Sequence, residues 1–327
     1  MATQPRLLLS SSPSIYAGVN VTRLMLYVII ALLPVSAYGV YLYGIPALIT
    51  LLISVISCVV FEIGFRKLTH AQQNYRDLSA IVTGLLLALI LPPSTPYWIT
   101  ILGALAAIVF AKEFFGGIGH NPFNPALIGR AVLLMSFPAA LTTWHKPLET
   151  IADATTTATP LNILKLGGTL QDVARSLGVT QPAEVYLTLF FGNRSGCIGE
   201  SSIVLILVGG VYLLATGTIR ILTPLSMILT AAAVSFLLGM DPLFQVLSGG
   251  LMFGAVFMAT DYVSTPLTPK GKVLFGIGAG LITMLIRKFG GFPEGTSYGI
   301  LIMNAFTPFL NTLVTKKYGY IRRRNNG

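Results

Sequence analysis

The chain reads as an all-α polytopic membrane protein, with about ten transmembrane helices arranged as two inverted five-helix repeats. Three observations lead there. Of 327 residues, 54% are hydrophobic and 10% charged, against about 25% charged in soluble domains. The apolar segments are continuous rather than alternating and reach the roughly 20 residues a helix needs to cross a bilayer. Two stretches of the chain also resemble each other at an offset of 169 to 174 residues. In hydrocarbon the backbone must satisfy itself, which leaves helices or closed barrels, and continuous runs select helices.

Spans are expected near 23–43, 45–64, 78–95, 97–112 and 125–141, then near 200–219, 221–239, 246–262, 272–288 and 297–315. The third, fifth and eighth are short or interrupted by Gly and Pro. The start of the chain carries Arg6 and a Ser/Pro-rich stretch with no apolar core before a cleavage site, so no cleavable signal is expected. An even number of spans puts both termini on one side, together with Arg23, Arg66, Lys67, Lys112, Arg220, Lys270 and Lys272. The positive-inside rule makes that side cytoplasmic. The expected organisation is a cytoplasmic segment at 1–22, a first repeat at 23–141, an external loop at 142–199, a second repeat at 200–315 and a basic cytoplasmic tail at 316–327. Arg287 and Lys288 fall on the external side, against the rule; they are either mild exceptions or hold a ligand. The net charge of +10 sits at the ends of apolar segments and forms no stripe, so nucleic acid is not an expected partner.

The repeat is carried by particular residues. LSAIVTGLLLALILPPSTP from Leu78 matches LSGGLMFGAVFMATDYVSTP from Leu247, and Phe115-Gly116-Gly117 matches Phe289-Gly290-Gly291. Membrane helices share composition, which is the bland explanation. Repeats of five spans must enter the membrane in opposite directions, and inverted repeats place sites beside broken helices. The breaks are Gly116 to Pro125, Asp261 to Pro269 and Gly290 to Gly295.

Asp77, Glu113, His120 and Asp261 lie near span ends, where charge is either solvated or functional. Asp77 reads as a surface pair with Arg76; Glu113 and Asp261 are candidates for ion coupling. His120, with Asn121 and Asn124 in GHNPFNP, reads as a turn or cofactor contact rather than a metal ligand. Cys58 and Cys197 stand in different regions and no CxxC occurs, so no metal site is expected. No Ser/His/Asp set or Walker loop suggests hydrolysis or ATP, and no catalytic residue is assigned.

The polar island at 142–200 contains Asp153-Ala154-Thr155-Thr156-Thr157-Ala158-Thr159-Pro160-Leu161. Such threonines suit a surface turn ended by Pro160, phosphate ligation or O-modification. Asp153, Thr156, Ala158 and Thr159 also resemble the flavinylation motif D-x-x-S/T-G-A-T, whose last threonine receives FMN phosphate from a dedicated transferase. Around it, Ser11-Ser12-Pro13, FGGIGHNPFNPA, ATDYVSTPLTPKGK and FGGFPEG…MNAFTP resemble the NqrB/RnfD family. That family comprises the RnfD component of the bacterial Rnf (Rsx) complex and the NqrB component of the sodium-pumping NADH:quinone reductase. Two residues depart from the family pattern: Thr157 replaces the motif glycine, and Ser14 replaces a histidine.

The resemblance implies a multi-pass inner-membrane component of an ion-translocating oxidoreductase, not catalytic alone. It would work with the A, B, C, E and G components of an Rnf complex in electron transfer between ferredoxin and NAD, coupled to Na⁺ or H⁺ translocation. Thr159 would carry covalent FMN on the external face, on an exposed, poorly structured loop that can enter the transferase, with Asp153 orienting the loop or a metal-bound donor. A second, non-covalent flavin, riboflavin, is expected near 113–125 and 261–269, with His120, Asn121, Asn124 and Asp261 as contacts. The alternatives are a sodium-pumping quinone reductase component, an inverted-repeat transporter or channel without flavin, and a structural scaffold. The short segment before the first span favours Rnf over the first, and the threonine motif argues against the last.

Overall fold

The structure is a computed structural model and describes residues 20–70, 77–145, 147–148, 156–179, 181–291 and 294–313. Helix α1 (Val21–Tyr43) starts where the Asn20 side chain accepts the Thr22 N–H at 2.8 Å. Gly44, at φ 69°, turns the chain into α2 (Ile45–Leu68), where a proline early in the first turn is tolerated because that N–H has no helical partner. Helix α3 (Ser79–Leu89) has only 11 residues, roughly 16 Å at 1.5 Å per residue and about half the hydrocarbon thickness. Pro92 and Pro93 follow its end and preclude its continuation. Helix α4 spans Tyr97–Phe115, with a π turn at Ala106–Phe110 and a 3₁₀ turn at Glu113–Phe115. Asn124 caps α5 (Pro125–Ser136), accepting the Ala126 and Leu127 N–H groups at 3.1 and 3.3 Å. The short α6 (Pro138–Leu141) follows.

Next comes a folded region outside the bundle. Strands β1 (Trp144–His145) and β2 (Thr156–Thr157) pair antiparallel, Trp144 opposite Thr157. Helices α7 (Pro160–Lys165), α8 (Leu170–Leu177) and α9 (Pro182–Phe191) come after them. Leu161, Val173, Ala174, Val185 and Leu189 bury a small core of their own, together with Phe244. The expected loose loop is therefore structured from Thr156 onward, because its leucines and valines recur at helical spacing. The second half runs through α10 (Ile203–Ala215), α11 (Leu222–Leu237), α12 (Pro242–Leu247), α13 (Leu251–Phe253, continued by a π turn at Gly254–Met258), α14 (Pro269–Phe289) and α15 (Thr296–Asn311).

Among the described residues the protein is helical apart from the β1–β2 ladder. Helices α1, α2 and α4 are long and apolar enough to cross a membrane, and α3, α5, α10 and α11 are shorter apolar helices. Each expected span contains a helix, but the third, fifth, sixth and eighth are cut short by prolines and glycines. Helix α2 packs on α3 and α4, α14 on α11 and α15, and α1 on α10; α5 meets α15. Leu87, Leu89, Ile108, Leu127, Leu133, Phe253 and Phe275 lie fully enclosed between them. Leu52, Ile56 and Val60, one stripe of α2, face outward, as do Leu229 and Phe236 of α11. Apolar surfaces on both sides of a helix belong to a lipid or protein surround, not to water.

Close backbone approach fixes the first half. A Cβ on Gly84 would lie 2.7 Å from Val55 Cα, and one on Gly129 would lie 2.7 Å from the Gly103 carbonyl oxygen. The obstructing atoms are backbone and cannot swing aside. Gly84→Val and Gly129→Val should each lose about 1–3 kcal/mol through overpacking, read as a lowered unfolding midpoint of the detergent-solubilised protein, whereas Gly64→Val, with open space around its Cβ, should not.

Candidate functional site

Three polar regions stand out, two inside the bundle and one beside it. The first lies where α2, α3 and α4 meet. Glu62 and Arg66, one turn apart on α2, pair at 2.6 Å. Arg66 also bonds Glu113 through two N–H groups at 3.1 Å each. Lys112 Nζ donates to Glu62 at 2.7 Å and to Ser79 Oγ at 2.6 Å. Asp77 accepts from Ser79 N–H and Oγ–H at 3.1 and 2.8 Å, and its other oxygen lies 3.7 Å from Arg66. Lys112 is 2% exposed, Glu62 4% and Arg66 5%. Sequence reading took Arg66 and Lys112 as orientation markers at span ends and Asp77 as a surface pair. They are instead one buried network, because three helix ends converge. Arg76, the expected partner of Asp77, lies outside the described residues. Glu113, a candidate for ion coupling, is committed here to Arg66.

The second region lies at the opposite end of α3. Arg130 of α5 pairs with Glu294, just ahead of α15. Arg194 donates to the carbonyls of Leu247 at 2.5 Å and Glu200 at 2.9 Å; burial pushes its pKa down. Arg130, Glu200, Glu294 and Thr296 line a small cleft of about 10 Å³ with Ile90 and Phe253. Ligand atoms of Cys197, Glu200 and Glu294 lie within 4.8 Å of one another, but the Arg130 pair on Glu294 gives that corner cationic company that disfavours a metal ion. Sequence reading singled out none of Glu62, Arg130, Arg194, Glu200 and Glu294. The signal available for Arg130 and Glu294 was a charge inside or beside an apolar run.

The two halves also exchange contacts. While Arg130 reaches the start of α15, Asn304 of α15 reaches the start of α5. With its amide oriented to suit both neighbours, Asn304 donates to Ser264 O and accepts the Asn124 N–H, each at 3.1 Å. Arg130 and Asn304 are 174 residues apart (304 minus 130), the offset of the internal resemblance.

Of the residues expected at a second cofactor site, Asn124 and Asp261 line one cavity of about 50 Å³ with Val82, Leu86 and Phe257. His120 and Asn121 are not on its wall. The Asn121 side chain donates to Phe123 O at 2.9 Å, and His120 lies against Gly116. Asp261 accepts from Ser264 Oγ at 2.7 Å.

The third region is the threonine segment. Asp153 lies outside the described residues. Thr156 belongs to β2, opposite His145. Ala158 is exposed, but Thr159 is only 7% exposed. Thr159 is the N-cap of α7, its Oγ accepting the Asn162 N–H at 3.2 Å. Thr-Pro-Leu is a helix start, with a cap hydroxyl, proline at the first helical position and an apolar residue behind it. Burial of Leu161 draws the whole turn inward, so Thr159 is not exposed as expected. Against α7 opens a cavity of about 250 Å³, lined by Leu161, Leu164, Lys165, Met240, Asp241, Gln245, Arg287 and Lys288. Partial burial lowers the Lys165 pKa. Tyr186 donates to Asp241 and stays protonated, its pKa pushed up to about 12 by burial and by that carboxylate.

The sequence model of the NQR2, RnfD, RnfE family matches residues 8–319. The chain belongs to that family. It is 42% identical over 310 residues to the D component of the proton-translocating ferredoxin:NAD(+) oxidoreductase complex of Clostridium ljungdahlii, covering 93% of each chain. It is 44% identical over 315 residues to the D component of the Na(+)-translocating ferredoxin:NAD(+) oxidoreductase complex of Acetobacterium woodii, covering 96% of this chain and 95% of that one. The D component of the ion-translocating oxidoreductase complex of Stutzerimonas stutzeri is 38% identical over 320 residues, 89% of this chain and 90% of that relative.

Removing one partner of a buried ion pair strands the other charge. Arg130→Met should therefore cost about 3–5 kcal/mol, and the double variant Arg130→Met/Glu294→Met should recover much of it. Unfolding midpoints of the wild type, both single variants and the double variant measure the coupling; a double variant that loses the sum of the singles would refute it.

Proposed function

We propose that the chain is the RnfD component of a membrane complex that couples electron transfer between ferredoxin and NAD⁺ to Na⁺ or H⁺ translocation. Its own part is to carry FMN as a phosphoester on Thr159 and to hold that flavin in an electron relay. Two relatives that share over 40% of its residues name different ions, so overall identity does not select the ion.

The observation that carries this reading is the placement of Thr159. It is the last residue of a flavinylation-like segment, it starts α7 outside the bundle, and α7 walls a cavity of about 250 Å³. The residues fit a phosphate-bearing group: the cavity begins at Leu161, two residues beyond Thr159, and Lys165, Arg287 and Lys288 line it. FMN, when bound, supplies one-electron chemistry; the chain supplies position and electrostatics. Thr159 Oγ provides the point of attachment. In the folded protein that oxygen is buried and bonded to Asn162 N–H, so α7 is released while a flavin transferase acts and docks afterward. A short helix that holds its place through a few leucines suits that order.

The architecture follows the inverted-repeat reading. Residues 23–141 and 200–315 form the two repeats, both termini are cytoplasmic, and 142–199 lies outside the bacterial inner membrane. Reciprocal reach of Arg130 and Asn304, the common offset, and paired half-length helices α3 and α13 support it. The A, B, C, E and G components would share with lipid the apolar faces of α2 and α11. The cavity between Asn124 and Asp261, about 50 Å³, takes a few waters and is too small for an isoalloxazine ring. The residues do not fit riboflavin there.

Coexpression with a flavin transferase should give a fluorescent band on a denaturing gel. Thr159→Ala should abolish it, while Thr159→Ser, which keeps the hydroxyl, should retain it. A dark wild-type band, with the transferase active on a control protein, would favour a transporter without flavin.

A further inference from the structure

Arg287 is the most anomalous charge in the structure. It is 4% exposed, and among the described residues no carboxylate stands within ion-pair distance of it. Its guanidinium bonds neutral groups only: one nitrogen donates to Gln245 O at 2.5 Å and Gln245 Oε1 at 3.0 Å, and another to Ser248 O at 3.1 Å. Its Nε–H has no partner among the described residues. A buried charge is costly unless paired, and arginine is always protonated. Three acids stand in the neighbourhood, and Glu200, buried with its Oε1 unbonded among the described residues, acts on Arg287 only from beyond ion-pair distance. Glu294 pairs with Arg130. Asp241 accepts from Leu243 and Phe244 N–H at 3.0 and 3.2 Å, and from Tyr186.

Arg287 also faces the cavity beside α7, with exposed Lys288 and half-buried Lys165 on the same wall. Gly249, at φ 64°, brings the pieces close. A Cβ there would lie 3.1 Å from Arg287 Nη2 and 3.4 Å from Leu161 Cδ2. Leu161 is two residues beyond Thr159. In the proposed topology Arg287 and Lys288 lie on the external side, where basic residues are disfavoured. A buried arginine with no ion pair among the described residues, an unbonded N–H and a cavity whose wall carries three basic residues against one acid, Asp241, point to an anion, and arginine suits the oxygens of a phosphate group.

We propose that Arg287, with Lys288 and Lys165, forms a seat for a phosphodiester, and that the occupant is the phosphodiester joining FMN to Thr159. This rests on the flavin reading above and deepens it: the seat, rather than the threonine segment, fixes where the tethered cofactor stands. Attachment to Thr159 and docking of α7 then become linked. The phosphodiester neutralises Arg287 only when α7 is in place, so the modified chain docks more firmly than the unmodified one. The headgroup of a lipid offers the same chemistry from another source.

The test uses the full chain coexpressed with a flavin transferase. In-gel fluorescence reports attachment, and fluorescence anisotropy of the native, detergent-solubilised protein reports how firmly the flavin is held. Arg287→Gln should carry as much flavin as wild type, with anisotropy lowered roughly twofold, because a released tether moves on the nanosecond scale. Arg287→Lys, which keeps the charge, should restore much of the difference. Lys288→Gln, at an exposed position, keeps the comparison open if Arg287→Gln does not fold, and should lower anisotropy by a smaller factor. Bright variants with wild-type anisotropy would overturn the seat and leave the flavin reading intact. A dark wild type would remove both. Native mass spectrometry separates the sources: a bound phospholipid lost in Arg287→Gln, with flavin anisotropy unchanged, would assign the site to a headgroup and overturn the proposed occupant.

Discussion

Inside an apolar surround, a charge or an open helix end survives only where the chain itself supplies its partner. Much of this architecture follows from that constraint. Glu62, Arg66, Lys112 and Glu113 are each buried, and each is tolerable because the others are present. They come from α2 and α4, and Ser79 at the start of α3 joins them through Lys112. One polar network thus ties three helices at one end. At the other end of α3, Arg130 and Glu294 tie α5 to the start of α15.

Broken helices raise the same demand for backbone groups. Helices α3, α5 and α13 stop short, leaving helix ends within the protein that must find partners. Asn124 caps α5, and Asn304 in turn holds the Asn124 N–H. The two halves therefore complete one another's helix ends, which binds them more specifically than apolar contact alone. Glycines such as Gly84 and Gly129 let backbones approach closely enough for this to happen. The result is a frame against which α7, α8 and α9 can pack as a separate small core.

That small core gives the threonine segment a physical meaning. A modified hydroxyl must be reachable once and positioned afterward. A helix of six residues, capped by Thr159 and anchored by Leu161, can leave and return at small cost, since few contacts hold it. A phosphate on Thr159 would also change the electrostatics on return, because the docking surface contains a buried cation with no carboxylate partner among the described residues. Tethering keeps the cofactor at high effective concentration beside the bundle, and a seat converts that proximity into a defined position.

Sequence alone determined that the chain is helical and membrane-embedded, because long apolar runs with few charges have no other stable arrangement. It located α1, α2, α4, α11, α14 and α15 to within a few residues, and prolines and glycines marked where α3, α5 and α13 break, but it did not foresee α7, α8 and α9. It read Thr159 as part of an exposed, poorly structured loop; that Thr159 starts a helix and is buried came from the structure. Only the tertiary structure decided which charges are buried and with whom. Arg66 and Lys112 read as orientation markers because sequence shows how far a charge lies from an apolar run, not which other helix end meets it. Asn124 and Asp261 came together while His120 and Asn121 did not, because neighbouring residues in a turn point different ways. The isolation of Arg287 was foreshadowed by its place against the charge rule. That it lacks a counter-ion among the described residues could be learned only from the packing of α7, α12 and α14 around it, since pairing depends on distances across the fold.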